Sequence, residues 1–295
     1  MIYKRIESNK RKTFFLIFFF ILFILLLGLA FDYLLGFGTL GLIVALIISL
    51  TTTLISYYNS DKIVLSMTRA YPAEKKDYPY YVNSVEALAA GAGIPVPKIY
   101  VLPEQSINAF ATGTSPQRAS IAVTEGALKK LSRQELEGVI GHEISHIKNY
   151  DMRIMTITAV LVGVVSILSD FAIRNFWYET FRRKRSRDSE GLNLVILVIG
   201  LIFIALAPIF AQIIKFAISR KREFLADADS ALLTHNPKGL IGALKKIEQE
   251  NIPMKRATTA TAHLYISNPL PKNFLSNLFA THPPIEERIK ALENL

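Results

Sequence analysis

At 295 residues the chain has room for one large domain or two ordinary ones. It is 51% apolar, with a mean hydropathy of +0.31 and a net charge of +10, which sets it apart from ordinary soluble proteins. It has no cysteine, so disulfides and thiolate metal sites are excluded and any metal must sit on His and carboxylates.

Four hydrophobic segments set the layout. Residues 13–31 carry no charge and are crowded with Phe, Ile and Leu, and residues 33–60 are also uncharged. Each reaches the roughly 20 residues that cross a hydrocarbon core. Lys4, Arg5, Lys10, Arg11 and Lys12 precede the first segment. Its apolar run is too long for a signal peptide and no small-residue cleavage site follows Phe31, so an uncleaved anchor is expected. The first two segments read as a transmembrane hairpin, residues 1–60, turning at 32–37. Its basic flank, continued by Lys62, Arg69, Lys75 and Lys76, places both ends in the cytoplasm. Residues 154–173, interrupted by Asp170, and 192–214, with Pro208 as an expected kink, form a second hairpin within 154–218. Between them lie Arg182, Arg183, Lys184, Arg185 and Arg187. A crossing hairpin puts that basic run outside, against the positive-inside rule, yet a four-helix membrane arrangement is still expected. Because the positive charge flanks hydrophobic segments, its partner is read as the lipid bilayer and not nucleic acid.

Residues 61–153 form the first part of a soluble unit. A helix is expected over 79–90, with Pro79 in its first turn and Gly91 at its carboxy-terminal end. Ile94, Pro95, Val96 and Pro97 form a breaker. Strands follow at 98–102, 107–112 and 119–124, and residues 125–131 begin a helical region. Ser132-Arg133-Gln134-Glu135 is a capping box. Leu136, Val139, Ile140, Ile144 and Ile147 then recur at helical spacing, giving a helix of about four turns with a buried stripe.

That helix carries His142-Glu143-Ile144-Ser145-His146. Histidines at i and i+4 share one face, so both rings reach one zinc ion. Glu143 points a little around the helix, where a carboxylate takes the proton of a zinc-polarised water as it attacks a carbonyl. A catalytic zinc needs a third protein ligand and an open position. Residues 219–295 supply a candidate, Glu223, with Asp227 one turn later to accept a hydrogen bond from a ligand ring. The plain alternative is a solvated acidic face beside Arg220, Lys221 and Arg222, and these residues alone do not choose.

Together, the HExxH helix, the later Glu-x-x-Ala-Asp, the hydrophobic hairpins and His282-Pro283-Pro284 resemble the HtpX-type membrane proteases, relatives of the CAAX prenyl proteases. The resemblance covers nearly the whole chain, with the motifs in the expected order. It implies a zinc endopeptidase of the bacterial inner membrane, one Zn2+ per chain, facing the cytoplasm and degrading misfolded or damaged membrane proteins. It assigns His142, His146 and Glu223 to the metal, Glu143 to catalysis, and Asp151 and Asp227 to the surroundings of the ligands. It makes Asn108, Ala109 and Phe110 part of a substrate-facing edge strand, which binds extended chain by β-augmentation. His282 becomes a candidate donor to the oxyanion, and Arg288 a partner for an acid such as Asp227. His235 and His263 read as loop or surface histidines. The fold class is α+β, mainly helical: a membrane-anchored zincin-like unit with two hydrophobic helical hairpins. A processing protease for a prenylated carboxy terminus, a zinc-retaining scaffold and a transporter are the competing readings. Glu143 speaks against the scaffold, and ligands on soluble-looking helices against the transporter.

Overall fold

The structure, a computed structural model, describes residues 2–35, 38–164, 220–250, 252–271 and 282–295. The rest of the third hydrophobic segment, the basic run 182–187 and the whole fourth segment fall outside the described residues.

Two long helices open the chain, α1 (Ile2–Leu35) and α2 (Gly38–Met67), lying side by side. α1 runs through residues 32–35 of the expected turn, and residues 36–37 lie outside the described residues. Asn59, at φ −121° and ψ 15°, leaves the helical region and kinks α2. Both helices expose large apolar side chains, among them Phe14, Phe15, Phe18 and Phe19 on α1 and Ile47, Leu54 and Ile55 on α2. Counted over the described residues alone, no helix is long and apolar enough to cross a membrane. The membrane hairpins therefore rest on the sequence.

A four-stranded mixed sheet follows, in the order β1-β2-β4-β3: β1 (Tyr71–Pro72), β2 (Lys98–Leu102), β3 (Ala109–Gly113) and β4 (Ala119–Thr124). β2 runs parallel to β4, with Val101 opposite Val123, and β3 pairs with β4 antiparallel, with Phe110 opposite Ala122. β3 is thus the edge, as expected. It starts later than residue 107 because Asn108 is held by Thr124: its N–H donates to the Thr124 hydroxyl at 3.0 Å and its carbonyl accepts from the Thr124 N–H at 3.0 Å.

The helix α3 (Pro79–Ala92) has Pro79 in its first turn. Its carboxy-terminal cap is Gly93, at φ 71° and donating to Ala89 and Ala90, while Gly91 lies within the helix. Only the capping position needs the left-handed conformation that favours glycine, so the end moves two residues beyond the expected one. α4 (Glu125–Lys130) is capped by the Thr124 hydroxyl, which accepts from Ala127 N–H at 3.1 Å. α5 (Arg133–Lys148) starts with both bonds of the expected capping box: Glu135 N–H to the Ser132 hydroxyl at 3.3 Å, and Ser132 N–H to the Glu135 carboxylate at 2.7 Å. Residues 151–164 form α6, followed among the described residues by α7 (Arg220–Thr234), α8 (Pro237–Glu250) and α9 (Ile285–Glu293).

α5 is the axis of the soluble unit, packed against α3, α7, α8 and β3. Its Leu136, Val139, Ile140 and Ile144 enter one core with Val85, Val101, Ile121, Val123, Leu240 and Leu244. Gly138 lets α8 approach, since a Cβ there would stand 2.5 Å from the Leu240 nitrogen. A second cluster joins the carboxy-terminal part of α2 to the sheet and α6 through Val64, Leu65, Phe110, Ile154, Met155 and Tyr265.

Candidate metal centre and active site

On α5 the polar side chains His142, Glu143 and His146 are as buried as the apolar stripe. One turn separates the two rings, whose Nε2 atoms stand 3.1 Å apart. α7 crosses α5 and brings Glu223 over them: its Oε2 is 3.7 Å from His142 Nε2 and its Oε1 is 3.6 Å from His146 Nε2. The acidic helix is not a solvated face, for Glu223 and Asp227 are each 1% exposed.

Carboxylates fix both rings from behind. His142 Nδ1 lies 2.9 Å from Asp227 Oδ1, and His146 Nδ1 lies 3.3 Å from Asp151 Oδ2. When both rings are neutral, as metal ligands are, the Nδ1 atoms that face the carboxylates carry the protons and each Nε2 is left to face a metal. Two ring nitrogens approach to 3.1 Å when a proton is shared between them, and a metal ion takes the place of that proton. Tetrahedral zinc with nitrogen and oxygen ligands at about 2.0–2.1 Å holds neighbouring ligand atoms roughly 3.3 Å apart. The His142, His146 and Glu223 donors, all buried and within 4.8 Å of one another, fit such an ion.

The surroundings tune the charges. Burial lowers His142 to about 4, partly opposed by Asp227. Burial also acts to lower His146, but Asp151 and Glu223 outweigh it and raise the ring to about 9. Burial raises Glu143 to about 7; the charge of Glu223 adds to the rise, while His146, Arg288 and the Ala111 backbone oppose it. Burial works against ionised Asp227, yet Arg288 holds it down at about 2. Arg288, on α9 and 1% exposed, donates Nε to Asp227 Oδ2 at 2.9 Å, Nη2 to Asp227 Oδ1 at 2.6 Å, and Nη1 to the Ile266 carbonyl at 2.8 Å. This forked pair ties α9 to α7 and, through Asp227, to a ligand ring.

Glu143 Oε1 is buried without a hydrogen-bond partner. His282, ahead of α9, sets its Nδ1 2.8 Å from Glu223 Oε2 and leaves Nε2 buried and unpaired. The edge at Ala109 and Phe110 is already occupied. Ile266 N–H donates to the Ala109 carbonyl at 3.0 Å and Tyr265 bridges Phe110. Asn108 donates its side-chain amide to the Ser267 carbonyl at 3.1 Å. His263 corrects the surface reading. It is 1% exposed, its Nε2 lies 2.9 Å from the Met155 carbonyl, and it feels the charge of His282. Its immediate neighbours Ala262, Leu264, Tyr265 and Ile266 are apolar, and that short run is the sequence's signal of the burial.

Comparison with known proteins agrees with this geometry. Residues 76–295 match the model of peptidase family M48. The chain belongs to peptidase family M48. It is therefore a metalloprotease, a hydrolase of peptide bonds. A protease HtpX homolog of Dictyoglomus turgidum is 48% identical over 98% of this chain and 93% of that one. A protease HtpX homolog of Lactobacillus helveticus is 43% identical, with both chains fully covered. The crystal structure of S. mikatae Ste24p superposes with a TM-score of 0.53 at 21% identity, covering 99% of this chain and 67% of that one, a likeness of fold. The HtpX-type resemblance of the M48 chain thus holds along its whole length.

Proposed function

We propose that this M48 protease is a zinc-dependent endopeptidase, anchored in the bacterial inner membrane, that cleaves misfolded or damaged membrane proteins on the cytoplasmic side. One observation carries the reading: the Nε2 atoms of His142 and His146 converge with Glu223 at distances suited to one ion, beside Glu143, whose Oε1 is buried without a partner. Zinc in that position supplies Lewis acidity, which lowers the pKa of a water and polarises a carbonyl.

The side chains divide the remaining work. Glu143, raised to about 7 mainly by burial, is matched to accept a proton from the attacking water near neutral pH and to pass it to the leaving amine. Asp227 and Asp151 keep the two rings in the Nδ1–H tautomer, with Arg288 holding Asp227 in place. Asn108, Ala109 and Phe110 form the floor of the substrate cleft. Tyr265 and Ile266 occupy their edge, so an extended substrate that pairs with Ala109 and Phe110 takes the place of that segment. His282 serves the oxyanion through Nε2, which donates when the ring carries protons on both nitrogens, Nδ1 being committed to Glu223. The anchor comprises residues 1–60 and 154–218, and the catalytic unit comprises 61–153 and 219–295. Uncharged residues 13–31 and the exposed phenylalanines of α1 support lipid contact.

The test compares purified, zinc-loaded wild type with Glu143→Gln on an unfolded protein substrate, with and without a chelator. Wild type cleaves and the chelator abolishes cleavage. Glu143→Gln loses about 10⁴-fold in kcat, some 5 kcal/mol of barrier, while keeping its zinc and its Tm. Equal cleavage by both proteins overturns the role of Glu143.

A further inference from the structure

The amino-terminal helix α1 reads from sequence as an anchor, yet one of its residues enters the surroundings of the metal centre. Asn9 is 3% exposed and lies in the cationic stretch ahead of the uncharged run. Its side-chain amide uses both hydrogens across the soluble unit, donating to Asp151 Oδ1 at 2.8 Å and to the Asn149 carbonyl at 3.2 Å. Its Oδ1 accepts from Arg222 Nη1 at 3.1 Å, and the same guanidinium nitrogen stands 3.5 Å from Asp151 Oδ1. The other oxygen of Asp151 holds His146 Nδ1.

We propose that Asn9 is a positioning residue for the metal centre, fixing Asp151, and through it the ring of His146, from the membrane-anchor helix. A carboxylate that faces a ring with one oxygen is free to swing about its Cβ–Cγ bond unless its second oxygen is also held. Asn9 and Arg222 hold that second oxygen from two different helices, α1 and α7. Arg222 directly precedes the candidate ligand Glu223, so one hydrogen-bonded node ties together the beginnings of α6 and α7 and the amino-terminal part of α1. α1 is then part of the metal centre as well as its tether, although the matched family model begins only at residue 76. The inference rests on the metal-centre reading above. Partners behind a ligand typically govern metal affinity by 10–100-fold, and Asn9, one residue further out, belongs at the low end.

The experiment uses the full chain in detergent, made in the Glu143→Gln background to prevent self-cleavage. Zinc affinity is read by competition with a chelator. Asn9→Ala is expected to weaken zinc about tenfold, and Asn9→Asp, which sets a second carboxylate against Asp151, to weaken it further. Thr13→Val removes a neighbouring hydroxyl that, among the described residues, bonds to the Asn9 carbonyl within the helix, at 2.8 Å, and is expected to leave affinity unchanged. With Asp151→Ala already present, Asn9→Ala has no further effect. In otherwise wild-type enzyme at subsaturating zinc, Asn9→Ala lowers kcat with little change in KM, and added zinc restores it. Equal losses from Asn9→Ala and Thr13→Val would assign the effect to the packing of α1 and overturn the proposal. Unchanged affinity in Asn9→Ala, or additive losses with Asp151→Ala, also overturns it. A parent protein that binds no zinc would instead defeat the metal-centre reading itself.

Discussion

Along α5, Leu136, Val139, Ile140 and Ile144 lie in the apolar core, while His142, Glu143 and His146, on the same helix and as deeply buried, lie in the candidate metal centre. The apolar stripe needs only area and fit. Its neighbours are interchangeable in kind, and each side chain stabilises the fold independently at about 25 cal/mol per Å² removed from water. The polar stripe needs particular partners at particular atoms. Asp227, Asp151, Glu223 and Arg288 arrive from other parts of the chain, and each neutralises or orients another. Similar burial therefore predicts different responses to mutation: graded loss of stability on one face, collapse of a coupled network on the other.

Four substitutions sharpen that contrast. Arg288→Met strands the Asp227 carboxylate in the interior. It is expected to cost about 4 kcal/mol of stability and to weaken zinc at least tenfold. Asp227→Leu in the same chain recovers part of the Tm but none of the zinc affinity, as thermal unfolding and chelator competition will show. If the double variant regains zinc, Asp227 does not orient His142. On the apolar face, Ile140→Ala is expected to cost about 3 kcal/mol through lost burial and a cavity. Its zinc stoichiometry and kcat remain those of wild type, and a loss of zinc there would mean that the two faces are mechanically coupled. The smallest effect belongs to the helix start. Ser132→Ala removes the acceptor for the Glu135 N–H and costs about 1 kcal/mol, read as a lower urea midpoint at unchanged activity.

The periodic and local features of α5 were legible in its residues. The capping box, the apolar stripe and the two histidines one turn apart involve side chains within four positions of each other, so the helix geometry alone brings them together. β2 and β4 were legible for the same reason, as short runs of apolar and β-branched residues bounded by Pro, Gly and charge. From sequence Glu223 stood between ligand and surface acid; the packing of α7 on α5 buries it beside the two histidines, where the three could hold a metal ion. The end of α3 shifted from Gly91 to Gly93 because composition names two glycines and only backbone conformation chooses between them.

By itself the sequence determined the helix that bears His142, Glu143 and His146, and the family and enzyme class to which the chain belongs. Tertiary structure alone decided that Tyr265 and Ile266 occupy the edge beside Phe110, that His263 is buried, and that Asn9 reaches Asp151. The reason is physical. Helical and strand periodicity act over a few residues, where covalent geometry fixes which side chains meet. Asn9 and Asp151 are 142 positions apart, and only the packing of whole elements brings them into contact.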